Sequence, residues 1–351
     1  MNVDLFRELT EAHGCPGQED AIRAIVRREL EPFCEVRTDF MGNLIAFKPA
    51  NSAHGTGKKL MIAAHMDEIG FRVKHVSDKG FLRITPMGGW DPRQMASQRV
   101  LVHTEGGPLP GVLTQSTKPK HLLSAGDAAK PLTIDDYFID IGLSGEQAKS
   151  AVEIGDGVTM SRSFQQMGDL YTCKAMDDRA AVFVMIEAMK AANEHAVDVY
   201  GVATVQEEVG LRGATASGSA IVPDVVVAID VTLANDFPGI PEELSVTRLG
   251  EGTGIKVLDS SLICHPKVVK HFKELAKANE IKHQLEVLPM GGTDAGGVQR
   301  LHGGIPAFTL SIPCRYIHTV NETVHKDDVQ ASIDLLARYI EDCHNGQYQY
   351  D

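Results

Sequence analysis

Val199-Tyr200-Gly201-Val202-Ala203-Thr204-Val205-Gln206-Glu207-Glu208-Val209-Gly210 is the stretch whose reading decides the fold. Its first seven residues are mostly apolar and β-prone, a pattern that predicts a buried strand. The strand runs into two adjacent carboxylates, Glu207 and Glu208. Neighbouring side chains at a strand end point in opposite directions. One of the pair can therefore hold a metal while the other stays free to carry a proton, the division of labour that metal-assisted hydrolysis needs.

Outward from that stretch, the pattern of elements is consistent. Residues 59–64 form a short apolar run that ends at His65-Met66-Asp67 and reads as a central strand covered on both faces. Asp177 opens a helical segment over 179–192, and residues 225–229 predict another buried strand before Asp230. The N-terminal stretch to about residue 31 has helical periodicity through Leu5, Leu9, Ile22, Ile25 and Val26, interrupted by the turn Gly14-Cys15-Pro16-Gly17. Between 70 and 160 the texture changes to short alternating runs, such as Phe71-Arg72-Val73-Lys74-His75-Val76, separated by Asp78-Lys79-Gly80 and Gly88-Gly89. The expected architecture is an α/β domain formed by residues 1–69 and 161–351, split by an inserted β-rich domain at 70–160. Within the insert, residues 115–130 read as a polar, mobile loop.

Composition narrows the function. A chain of 351 residues exceeds what one core usually serves. Its net charge of -13 argues against a sequence-independent grip on nucleic acid and against docking on anionic membranes. The cysteines Cys15, Cys34, Cys173, Cys264, Cys314 and Cys343 form no CxxC motif and predict free thiols in a reducing compartment. The first residues are charged and lack an apolar signal core, and no apolar run is long enough to span a membrane. A cytoplasmic protein is expected.

The element ends carry a shared chemistry. His65 and Asp67 follow one strand, Asp177 and Asp178 precede the long helix, Glu207 and Glu208 end the next strand, Asp230 ends another, and His318 follows the apolar run 308–312. In an open α/β sheet such ends form the ligand crevice. Histidine and carboxylate ligands without thiolates suit Zn²⁺, Co²⁺ or Mn²⁺ in a catalytic site. Five ligands divide between two metals, with His65 and Asp230 on one, Glu208 and His318 on the other, and Asp177 bridging. A bridging hydroxide would neutralise the charge left over and supply the nucleophile. Asp67, two residues from His65, is placed to fix the imidazole tautomer. Glu207 remains as general base. Taken singly each residue has a plainer reading: Asp177 as a helix N-cap, Asp230 as a turn cap, the Glu pair as a solvated strand end. His75, His121 and His283 carry no functional reading.

Ala64-His65-Met66-Asp67-Glu68-Ile69-Gly70, Met176-Asp177-Asp178-Arg179, Gln206-Glu207-Glu208-Val209-Gly210-Leu211-Arg212-Gly213-Ala214, Ile229-Asp230 and Arg315-Tyr316-Ile317-His318 together resemble the co-catalytic di-metal aminopeptidases that include the TET enzymes and bacterial glutamyl aminopeptidases. Gly291-Gly292-Thr293-Asp294-Ala295-Gly296 looks like the glycine-rich active-site loop of that family. The resemblance implies a zinc-peptidase-like α/β domain with a mixed central sheet flanked by helices. It implies metal ligands at His65, Asp177, Glu208, Asp230 and His318, catalytic roles for Glu207 and Asp67, and two divalent metal ions per subunit. It also implies a cis Asp177–Asp178 peptide, an insert that mediates dimerisation, and dimers that assemble into a tetrahedral dodecamer. The implied substrates are short peptides. Arg315 and Arg93 are conceivable partners for an acidic substrate, with a structural role the plainer reading of Arg315. The turn at 14–19 departs from the usual family pattern without touching a ligand. A di-metal deacylase or carboxypeptidase, a glycoside hydrolase using the carboxylate pair as acid and base, and a non-enzymatic binding protein are the competing readings.

Overall fold

The computed structural model describes residues 1–118, 120–122, 124 and 131–350. Two amphipathic helices open the chain, α1 (Val3–Glu11) and α2 (Asp20–Leu30), burying Leu5, Phe6, Leu9, Ile22, Val26 and Leu30. Strands β1 (Glu35–Thr38), β2 (Leu44–Lys48) and β3 (Lys59–His65) follow. The chain then leaves for the insert: β4 (Gly70–Val76), β5 (Leu82–Met87), β6 (Gln98–Thr104), β7 (Gly107–Gln115), β8 (Tyr137–Asp140), α3 (Gly145–Ala151) and β9 (Gly157–Met160). On return come β10 (Gln165–Met167), β11 (Leu170–Cys173), α4 (Met176–Ala191), β12 (Asp198–Thr204), α5 (Arg212–Ile221) and β13 (Val225–Leu233). The remainder is β14 (Thr253–Leu258), α6 (Pro266–Ala278), β15 (His283–Val287), α7 (Asp294–Val298), β16 (Ala307–Arg315), β17 (Glu322–His325) and α8 (Lys326–Asp342).

The fold is α/β, with a mixed central sheet in the order β1-β2-β12-β3-β13-β16-β17-β11-β10 and β14 and β15 branching from β16. Its central four strands, β12, β3, β13 and β16, run parallel. They are almost wholly buried, as expected of parallel strands covered by helices on both faces. Helix α4 is apolar nearly all round and is buried from Met176 to Ile186. A helix of that composition belongs inside a core rather than on a surface. It packs against α8, β3 and β13 on one side of the sheet.

The insert is a separate antiparallel barrel, β4-β5-β8-β7-β6-β9, closed by the β9–β4 pair. It has its own core of Phe71, Val73, Leu82, Ile84, Val100, Val102, Leu113, Ile139 and Val158. Closure removes the unpaired edges that an open sheet of this size would expose.

Two local expectations change. Strand β13 does not stop before Asp230 but continues to Leu233, because its ladder with β16 runs on from Asp230 opposite Ser311 to Leu233 opposite Cys314. Strand β12 ends at Thr204, so Glu207 and Glu208 lie in the following turn, where Gln206 has φ 56° and Gly210 φ 122°. Helix α4 is bounded at Met176, but Asp177 and Asp178 have non-helical backbones, so the regular helix starts at Arg179 as expected, and the two aspartates are joined by the implied cis peptide. Much of the loop read at 115–130 (positions 119, 123 and 125–130) lies outside the described residues.

Candidate metal centre

Because β12, β3, β13 and β16 are parallel, their C-terminal ends open on one edge of the sheet. His65 is the last residue of β3, and Asp230 lies in β13. Asp177 and Asp178 enter from the start of α4, Glu207 and Glu208 from the turn after β12, and His318 from the loop after β16. These segments, far apart in sequence, meet at one place. The Asp177 carboxylate faces two histidines at once: Oδ1 is 3.1 Å from His65 Nε2 and Oδ2 is 3.5 Å from His318 Nε2. Glu208 Oε2 is 3.4 Å from His318 Nε2. His65, Asp178 and Asp230 form a second group whose ligand atoms lie within 4.8 Å of one another. Glu207 Oε2 stands slightly farther off, 3.9 Å from His65 Nε2.

The surrounding bonds fix this arrangement. The Asp67 carboxylate accepts the Glu207 N–H (3.0 Å) on one oxygen and the Glu208 N–H (3.1 Å) on the other. His65 Nδ1 lies 3.0 Å from the Asp67 carbonyl and 3.6 Å from its carboxylate. Asp67 thus holds the turn that carries the Glu pair as well as standing behind the imidazole. Glu322, buried at the start of β17, plays a matching part. Its Oε2 accepts the Asp177 N–H (2.9 Å) and its Oε1 the His318 N–H (2.8 Å). The barrel closes in from above. A Cβ at Gly89 would come within 3.0 Å of His318 Nδ1, and one at Gly88 (φ +85°) within 3.0 Å of Glu208 Oε2. Gly88 has no room for a side chain, and one at Gly89 would require the His318 ring to shift.

The electrostatics suit a cation. Burial and neighbouring carboxylates push Glu207, Asp178 and Asp230 well above the usual carboxylate range, and burial raises Glu208. Burial opposes protonation of His65, yet Glu207, Asp177 and Asp67 outweigh it and raise the imidazole. Among the described residues no Lys or Arg pairs with Asp177, Asp178, Glu207, Glu208 or Asp230; the ion-pair contacts there are to the two histidines. Glu208 Oε1 and Asp178 Oδ1 are buried with no hydrogen-bond partner among the described residues. So many buried carboxylates cannot stay ionised without positive charge beside them. The separations also fit. With zinc–ligand bonds of about 2.1 Å, ligands sharing a tetrahedral ion sit roughly 3.4 Å apart. The residues present suit divalent metal.

All seven sequence-predicted site residues converge here. Residues outside that set also take part. Asp178 supplies a carboxylate to the second group and an acceptor for the His65 backbone N–H (3.3 Å), where the sequence placed it only ahead of the long helix. Glu322 stands out only as a carboxylate within a run that forms a buried strand. Asp294 is buried, accepts a hydrogen bond from Thr204 Oγ1 and is pushed up to about 6 by burial; it comes from the glycine-rich loop. Arg315 is bound through Nε and Nη2 to Asp236, the latter at 2.8 Å, and Arg93 is exposed and bound to Asp91.

The chain is similar along nearly its full length to proteins of one kind. The profile of the M42 glutamyl aminopeptidase family matches residues 42–335. The lysyl aminopeptidase of Pyrococcus furiosus is 35% identical over 350 residues, covering 97% of each chain. An aminopeptidase from the archaeon Desulfurococcus kamchatkensis superposes with a TM-score of 0.91 at 39% identity, covering 97% of this chain and 94% of that one. The TET1 peptidase of Pyrococcus horikoshii, which can assemble into a tetrahedron or a large octahedral shell, superposes with a TM-score of 0.86 at 31% identity over 96% and 98% of the two chains. With that match extending over the sheet, the barrel and each segment of the carboxylate–histidine cluster, the chain belongs to the M42 glutamyl aminopeptidase family and is a hydrolase of the aminopeptidase class.

Proposed function

We propose that this protein is a di-metal aminopeptidase that removes N-terminal residues from short peptides, with Glu207 as its general base. The observation that carries the reading is the Asp177 carboxylate set between His65 and His318, with one oxygen toward each. On this reading His65 and Asp230 would hold one ion, Glu208 and His318 the other, with Asp177 shared. When bound, two divalent cations would supply Lewis acidity toward a carbonyl oxygen and a water of lowered pKa. Zn²⁺ suits the donor set best, with Co²⁺ and Mn²⁺ as alternatives.

The chain's own residues do the rest. Glu207 takes the proton of the attacking water and returns it to the leaving amine. Its backbone is tied to Asp67, so its carboxylate keeps one position relative to His65. Asp67 and Glu322 hold the proposed ligand-bearing segments in place through backbone N–H groups. Gly88 and Gly89 bring barrel backbone close to Glu208 and His318 and narrow the crevice on that side.

The carboxylate-pair glycosidase and the deacylase are separated from this reading by substrate. Free-amine aminoacyl substrates should be cleaved, N-blocked ones should not, and chelation should abolish turnover. Cleavage of N-blocked substrates or of a glycan after chelation would overturn the assignment. A preference for acidic N-terminal residues rests on the family description, because Arg315 and Arg93 are already engaged by Asp236 and Asp91. A panel of aminoacyl chromogenic substrates with each metal decides it. We further read the barrel at 70–160 as the dimerisation domain of a homo-oligomer, up to a tetrahedral dodecamer. The assembly of the TET1 relative supports this, and sedimentation of the purified protein tests it. Six free cysteines suit a cytoplasmic setting.

A further inference from the structure

A second polar cavity of about 300 Å³ lies where the barrel meets the α/β domain. Its walls come from the first turn of β6 (Arg99), the segment that leaves the barrel (Ser161, Arg162, Ser163), β11 (Thr172) and the loop after His318 (Asn321). Two arginines share this wall and no carboxylate does, in a chain whose net charge is -13. Among the described residues the Arg99 guanidinium has no hydrogen bond or ion pair. Arg162 spends only one N–H, donated from Nη2 to Gln98 Oε1 at 2.9 Å. The main chain of Arg162 is anchored, since its carbonyl accepts from Cys173 Sγ. Thr172 is 8% exposed, and its buried hydroxyl has no partner among the described residues.

We propose that this cavity is an oxyanion site, binding a carboxylate or a phosphate-like group between Arg99 and Arg162. Guanidinium forks match the planar, multi-acceptor geometry of such groups, and two of them without a competing acid leave a net positive wall. Ser161, Ser163, Thr172 and Asn321 add neutral donors. The site stands next to the metal centre along the chain. Val320, which also lines the cavity, is two residues from His318, so their Cα atoms are at most about 7 Å apart. Thr172 and Cys173 pair across the ladder with Thr323 and Glu322, the latter bonded to Asp177 and His318. Two sources of the anion fit this chemistry: the C-terminal carboxylate of a short peptide whose N-terminus is at the metals, or a free inorganic oxyanion.

The first experiment is calorimetric titration of the metal-loaded, intact oligomer with sodium sulfate at constant ionic strength. One saturable site per chain is expected. Arg99→Gln and Arg162→Gln should each weaken it about tenfold or more, while Arg93→Gln leaves it unchanged. If Arg99→Gln fails to fold, Arg99→Lys keeps the charge but loses the fork, and it should still weaken sulfate. The second experiment compares hydrolysis of trialanine with that of its C-terminal amide, and this arm alone rests on the aminopeptidase reading. A kcat/KM preference for the acid that disappears in Arg99→Gln assigns the site to the peptide terminus. Equal rates with sulfate binding intact assign it to a free oxyanion. Sulfate binding that both arginine variants retain overturns the proposal. So does its absence from the wild type together with acid-to-amide ratios that neither variant changes.

Discussion

Glu207 and Glu208 are adjacent in sequence yet differ in what they touch, and that difference is open to experiment. Glu207→Gln keeps the volume and the bond to Asp67 but removes the proton acceptor. It should lower kcat by about 10²–10⁴-fold, with two metals per chain still found by elemental analysis. Glu208→Gln removes the charge of a proposed ligand, so metal content should fall along with activity. Variants that both keep full metal and full activity would refute the assignment. Glu322 supplies a third test. Because its carboxylate accepts from the backbones of Asp177 and His318, Glu322→Gln should weaken metal affinity by roughly 10–100-fold, and calorimetric metal titration reads this directly. Unchanged affinity would reduce Glu322 to a packing residue.

At the scale of elements, the turn after β12 depends on how closely α5 approaches it. Gly213, in the first turn of α5, has no room for a side chain: a Cβ there would lie 2.3 Å from Asn43 Oδ1 and 2.4 Å from the Val205 carbonyl. The Asn43 side chain in turn accepts from the Val205 N–H and donates to the Gly213 carbonyl. Gly213→Ala should therefore cost about 1–3 kcal/mol of stability and displace the segment bearing the Glu pair. Thermal melting and kcat measured together check this, and an unperturbed melt would contradict the close approach. The element pattern was largely legible in sequence. Runs at 59–64 and 199–205 are apolar because parallel strands are covered on both faces, and the alternation at 70–160 reports a barrel with one face inward. The extension of β13 past Asp230 was not legible. It is imposed by the ladder with β16, and a polar Asp looks like a strand end until its partner is known.

Across the whole molecule, stability should carry the mark of a carboxylate remote from the metal centre. Asp328 is buried at the start of α8, accepts the N–H groups of Gly250 and Gly252 at 2.7 Å each, and is pushed up to about 6 by burial. A raised folded-state pKa means the folded chain holds this proton more tightly than the unfolded one, where the ordinary value is 3.8. Its contribution is fully present below that value and is lost as pH rises to about 6. Asp328→Asn should flatten that part of the stability–pH curve, as read by denaturant titration between pH 4 and pH 6.5 (roughly the window these pKa values set). A slope identical to wild type would contradict the assignment.

The sequence by itself determined the two-part architecture and singled out the carboxylates and histidines that gather at one edge of the sheet. Apolar periodicity is written locally, and strand ends in a parallel sheet share one edge whatever lies between them. Tertiary structure alone decided what those residues rest on. Glu322 reaches an N–H 145 residues away, Asp67 one 140 residues away, and Arg99 and Arg162 share a wall only because the barrel closes against the sheet. Hydrogen bonds to backbone groups leave no residue-type signature at the partner, since every non-proline residue offers the same N–H.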